Sequence, residues 1–185
     1  LVSIYHRYAH AQHIVDRFLE GYGWNGKHHR PEMDIVSLYV DQITPKPLNP
    51  EQGKQYDLSQ DRVERFPKLN RYPTIADALT CGTKTLAVDG VLIIAEHGNY
   101  PVNEKGQTLW PRYEFFKQML SVFRVSGKSV PVFNDKHLSW NWDWAKEMYD
   151  ASVEFDFPFM AGSSLPVTWR TPNIELPSQS RVNEA

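Results

Sequence analysis

Five short apolar runs punctuate this chain, and the segments between them carry apolar residues at helical spacing. The runs are Leu1–Tyr5, Asp34–Val40, Val88–Ala95, Val130–Phe133 and Phe157–Met160. Strands separated by helices pair in parallel through right-handed crossovers, so the alternation predicts an α/β fold built on a mostly parallel sheet. Ile14, Val15, Phe18, Leu19 and Tyr22 mark the first helical stripe, with Gly21 and Gly23 as stop signals. Residues 61–66 suit a short helix, and Thr74 is placed to cap another over Ile75–Leu79. Phe115, Phe116, Met119, Leu120 and Phe123 stripe a longer helix from about Pro111 to Val125, which Gly127 ends. A last helix starts at Ser139 or Asn141 and runs through Glu154. The stretch holding Trp24, His28, His29 and Pro31 reads as a polar loop, and 44–60, with three prolines, as a long surface connection.

Size and charge narrow the function. A chain of 185 residues fits one domain with a substantial core. A net charge of −2 argues against a general nucleic-acid binder, which carries a basic stripe. The longest pure apolar run, Val91–Ala95, falls far short of the roughly 20 residues that cross a bilayer, so no membrane span is expected. Cys81 is the only cysteine, which excludes an internal disulfide and leaves the compartment open. A start on Leu1, inside a strand-like run, reads as a fragment or a processed chain.

In an open α/β sheet, ligands bind where the strands end. Two strand ends here are rich in ionisable groups: Glu96-His97-Gly98 after Val88–Ala95, and Asp135-Lys136-His137 after Val130–Phe133. A lysine at such a mouth can polarise a carbonyl or hold a hydroxyl, and a neighbouring acid tunes it. His97 can serve as acid, base or ligand, since imidazole titrates near neutrality. The plainer readings are a surface ion pair for the first group and a hydrogen-bonded loop residue for the second. The first turn adds Tyr5, His6, Arg7, His10 and His13. Arg7 can grip phosphate or carboxylate in two-point fashion, and the histidine spacings allow a shared metal. Surface polarity explains them equally, with His13 packed on the sheet. Ser163 and Ser164 lack a Gly-x-Ser-x-Gly elbow, and Cys81 reads as a buried, inert thiol. Trp140, Trp142 and Trp144 cannot all face the core from one helix, so some of this aromatic surface is left for a homo-oligomer or other partner.

The order of parts resembles the dinucleotide-binding domain of the glucose–fructose oxidoreductase and inositol dehydrogenase family. The resemblance rests on Asp41 at a strand end, the Thr74–Leu79 segment, Val88–Ile93, Gly127–Val132 and Asp135–Leu138. It implies a Rossmann-like three-layer sandwich over 1–165 with strand order 3-2-1-4-5-6, and an extended tail over 166–185 leading to a second domain. It implies NAD or NADP as cofactor. Lys136 matches the family lysine near nicotinamide and substrate, Asp135 stands for the adjacent glutamate, and His137 replaces a proline. Asp41 matches the acid on the adenine ribose, and 97–101, with Tyr100, the loop touching cofactor. The family's Gly-x-Gly-x-x-Gly turn corresponds to Tyr5–Ala11, which has no glycine.

The leading expectation is therefore an NAD(P)-dependent oxidoreductase-like domain acting on a sugar- or polyol-like small molecule. Lys136, His97 and Asp135 are its candidate catalytic residues, and Arg7, His10, Asp41, Glu96, Tyr100 and His137 its candidate cofactor contacts. The alternatives are a Rossmann-like domain binding a metal or polar ligand through His6, His10, His97 and His137, and an assembly module using the Trp-rich helix.

Overall fold

The computed structural model describes residues 1–46 and 55–162; Ser163, Ser164 and the tail lie outside the described residues. The elements in chain order are α1 (His10–Leu19), β1 (Tyr22–Trp24), β2 (Lys27–His29), β3 (Ser37–Tyr39), α2 (Ser59–Arg65) and β4 (Asn70–Tyr72). There follow α3 (Ile75–Thr80), β5 (Val91–Ile93), α4 (Arg112–Ser126), β6 (Val132–Asp135), α5 (Trp142–Glu154) and β7 (Phe159–Gly162).

The protein is mixed α/β, with small and mostly parallel sheets. β3 pairs in parallel with β4, Ser37 opposite Asn70. β5, β6 and β7 pair in parallel in that order, Val91 opposite Val132 and Asn134 opposite Ala161. The N-terminal segment runs between these two pieces, and Val2 bridges in parallel to both Val40 and Ile94. Its N–H donates to the Tyr39 carbonyl at 2.9 Å, while the Ile94 N–H donates to the Leu1 carbonyl at 2.9 Å.

Alternation along β5 shows how the core is split. Val91, Ile93 and Ala95 join a cluster with Phe116, Met119 and Phe123 of α4 and Met148 of α5. Leu92 and Ile94 face the other way, into a cluster with Ala11 and Val15 of α1. A period of two places successive side chains on opposite faces, so helices cover both sides of this strand.

Capping fixes the helix ends. Thr74 Oγ1 accepts from the Asp77 N–H at 3.0 Å and Asn141 Oδ1 from the Trp144 N–H at 3.1 Å. Gly127 closes α4 at φ +58°. Ala9, Leu58 and Pro111, the N-caps of α1, α2 and α4, supply no side-chain bond.

Two elements depart from the predicted loops. The 24–31 region holds an antiparallel hairpin, β1 with β2, turning on Asn25 and Gly26 at φ +49° and +71°. Asn-Gly in this conformation is the favoured two-residue hairpin turn. β4 is polar and three residues long, with no apolar run to announce it. Other helix and strand bounds shift by a few residues. His13 is exposed rather than packed on the sheet, and Cys81 is half-buried at φ +48° as the C-cap of α3. The tryptophans divide: Trp144 stacks on Tyr113 with centroids 4.6 Å apart, Trp140 sits edge-on to Trp144, and Trp142 is 78% exposed. Among the described residues no helix is long and apolar enough to cross a membrane.

Candidate functional site

The C-terminal ends of the N-terminal segment, β3, β5 and β6 carry the polar groups. His10, the first residue of α1, meets Asp135, the last of β6, at 2.7 Å between Nδ1 and Oδ2, across 125 residues of chain. A carboxylate only accepts, so a hydrogen sits on Nδ1 and Nε2 is left for another partner. The His97 ring stands edge-on to His10 with centroids 5.1 Å apart, and Trp110 lies 6.4 Å beyond it. Burial lowers the His97 pKa, and His10 beside it lowers it further. Both effects favour the neutral ring.

Beneath this pair lies Arg112, whose side chain is 0% exposed. Its guanidinium forms an ion pair with Glu96, donates from Nε to the Asp135 carbonyl at 3.2 Å, and places Nη1 3.4 Å from His137 Nε2. Arginine has donors only, so His137 Nε2 must be the acceptor. Burial lowers the His137 pKa, with the Arg112 charge acting in the same direction. Two of the candidate contacts, Glu96 and His137, thus turn toward a buried cation that ties the β5 and β6 mouths together. Arg112 itself escapes a sequence reading. Its one signal is a cation in the first turn of a helix, where the dipole disfavours positive charge.

Asp41 is occupied on both oxygens: Tyr39 donates to Oδ1 at 2.7 Å and Tyr100 to Oδ2 at 2.8 Å. Burial raises both phenols, and the carboxylate reinforces the shift. The next residue repeats the link, since Gln42 Oε1 accepts from the Asn99 N–H at 2.8 Å and Gln42 Nε2 donates to the Asn99 carbonyl at 3.1 Å. The loop after β5 is thereby clasped to the end of β3. Gly98 permits the clasp: at φ +113°, a Cβ would lie 2.6 Å from the Tyr100 ring. Tyr8, His97 and Lys136 all hold left-handed backbone, at φ +66°, +66° and +69°. Such positions concentrate where structure is held for function. Lys136 is pinned there by reciprocal backbone bonds with Gly162, of 3.2 and 2.8 Å.

Between the first turn and the clasp is a cleft of about 400 Å³, lined by His6, Tyr8, Gln42, Gln55, His97 and Asn99 among others. His6 is 9% exposed, and its Nε2 has no hydrogen-bond partner among the described residues. Arg7, exposed between the lining residues His6 and Tyr8, holds its guanidinium 4.9 Å from the Tyr8 ring centre.

The structure therefore brings together His10, Asp135 and His97, with Lys136 close enough for its charge to act on His97. Asp41 and Tyr100 pair with each other on the clasp.

The first turn does not fit a pyrophosphate in the manner of a glycine-rich loop. The Tyr8 N–H is taken by Gln12 Oε1 at 3.2 Å and the Ala9 N–H by the His6 carbonyl at 3.1 Å. The bulky Tyr8 side chain stands where glycine would let the phosphates approach. Among the described residues no three His, Cys, Asp or Glu side chains converge as a metal would require, and His137 Nε2 faces Arg112 rather than the other histidines. No family model matches this chain, and no curated protein or solved structure shows significant similarity to it.

Proposed function

We propose that the chain is a Rossmann-type domain that holds a small polar ligand at its strand mouths and moves a proton on it. Counting the N-terminal segment as the first strand, the bridges of Val2 to both parallel pieces support the order 3-2-1-4-5-6. The cleft then lies beside the first strand, at the switch point where such sheets bind ligands.

The observation that carries the reading is the 2.7 Å contact between His10 and Asp135. Asp135 holds the ring in one tautomer and steadies the imidazolium once His10 Nε2 takes a proton. The neutral His97 ring can accept or donate a hydrogen bond at the same place. The Lys136 charge favours oxyanion character on the ligand. Acid–base groups of this kind act on a hydroxyl, or on a carbon beside a carbonyl.

Ligand-observed NMR in D2O with a panel of polyols, hydroxy acids and keto sugars tests this. Binding or deuterium uptake that disappears in His10→Gln supports the assignment. A panel that behaves identically with wild type and His10→Gln sinks it.

A second reading, an NAD(P)-dependent oxidoreductase for a sugar- or polyol-like substrate, is favoured by the acid Asp41 at the end of the second strand of that order. Titrating NAD(H) and NADP(H) while following the fluorescence of Trp110, the neighbour of His97, tests it. No response at roughly millimolar cofactor removes it.

A further inference from the structure

We infer that the cleft admits one small oxyanion, a free phosphate or a short carboxylate, and excludes an extended dinucleotide. The inference rests on reading the cleft as a ligand site and names the class of ligand.

Four observations converge on a small anion. The first is α1, a helix of ten residues whose N-cap, Ala9, gives no side-chain bond and whose first turn holds no acid. The backbone N–H groups of His10, Ala11 and Gln12 have no acceptor among the described residues, so the positive end of this helix is left open. The second is His6, which lines the same cleft and whose buried Nε2 has no partner among the described residues. A buried polar nitrogen without a partner is costly, and a ligand oxygen within reach would satisfy it.

The third is the state of the neighbouring acids. Asp135 is engaged by His10, Glu96 by Arg112, and Asp41 by two tyrosines. Among the described residues no Asp or Glu lines the cleft, and Arg7 is exposed between the lining residues His6 and Tyr8. An entering anion meets helix dipole, imidazole and guanidinium, with no carboxylate among the described lining residues to oppose it.

The fourth sets the size. A dinucleotide in a sheet of this order must stretch from the mouth of its second strand, at Asp41, across the first turn to the mouth of its fourth, at His97. Here those two mouths are tied directly to each other by Asp41–Tyr100 and by the two bonds of Gln42 with Asn99. The open cleft beside that clasp has about 400 Å³. That space suits a molecule of a few to a dozen heavy atoms carrying a single anionic group.

The test is NMR with imidazole-labelled full-length chain, titrated separately with inorganic phosphate, glycolate and NAD⁺. Phosphate or glycolate should move the His6 ring signals saturably, with a dissociation constant on the order of 1 mM. The exposed Arg7→Gln variant should weaken that binding about tenfold, the loss of one charge-assisted hydrogen bond. His6→Phe should abolish it. Saturable anion binding by the wild type with no deuterium uptake on any member of the panel would refute the proton-transfer reading alone. The present inference is overturned if neither oxyanion saturates, if Arg7→Gln binds as wild type does, or if NAD⁺ binds more tightly than both.

Discussion

Replacing Arg112 by Met should destabilise the protein by about 3 kcal/mol. The guanidinium is 0% exposed and the Glu96 side chain 18% exposed. Met fills much of the same space, so the cavity contribution is small. What remains is the loss of charge balance at Glu96 and of a donor to the Asp135 carbonyl. Breaking a buried ion pair typically costs about 3–5 kcal/mol, and a stranded carbonyl about 1–3. Water reaching the partly exposed Glu96 brings the sum back toward the lower figure. Urea unfolding with linear extrapolation measures it. The sharper test is the double variant Arg112→Met, Glu96→Gln. Because Gln needs no counter-charge, it should recover roughly 1–2 kcal/mol of the loss. Arg112→Lys, which keeps the charge but not the fork, should fall between wild type and Met. A loss below about 1 kcal/mol for Arg112→Met, or a double variant less stable than Arg112→Met alone, would refute the view that Arg112 ties the two mouths.

Three further outcomes follow from the geometry. His97 and His137 both have lowered pKa values, so below about pH 6.5 the unfolded chain binds protons that the folded chain refuses. Stability is fully present above that pH and falls as pH drops toward the folded values; the urea midpoint should decline between about pH 7 and pH 5, and His97→Gln with His137→Gln should flatten the decline. Gly98→Ala forces a side chain to φ +113° and into the Tyr100 ring, so it should cost about 1–3 kcal/mol and alter Trp110 fluorescence as Tyr100 leaves Asp41. Cys81→Gly should raise stability by roughly 0.5–1 kcal/mol, since Cys81 holds φ +48° where glycine rests without strain; a lowered melting temperature would contradict this.

The frame was legible where one signal dominated. The apolar stripes of α1 and α4, the Thr74 cap and the glycine end of α4 could all be read from residue order, because each is a local cause. β4 could not, since it is three polar residues whose pairing is set by its neighbour β3; the β1–β2 hairpin has exposed three-residue strands, and its one local signal is the Asn25-Gly26 turn. At the site, the acidic and basic strand ends were visible as Glu96-His97 and Asp135-Lys136-His137. That Glu96 and His137 turn away from the cleft was not visible. Glu96 and His137 are drawn away by Arg112, a residue with no motif around it. His10 is drawn in by Asp135, far along the chain. Such partnerships are set by how the strands order themselves, which no window of sequence contains.

The seam at Val2 has a consequence for assembly. The β3–β4 piece and the β5–β6–β7 piece each pair within themselves, and the N-terminal segment bridges to both. The His10–Asp135 contact spans 125 residues, so it exists only after that seam has closed. Contacts this distant in sequence form late and slow folding. A ligand gripped by both sides would bind the closed form alone, adding about 2.7 kcal/mol at a hundred times its dissociation constant. It would act as a fastener, so that occupancy and completed folding become one event.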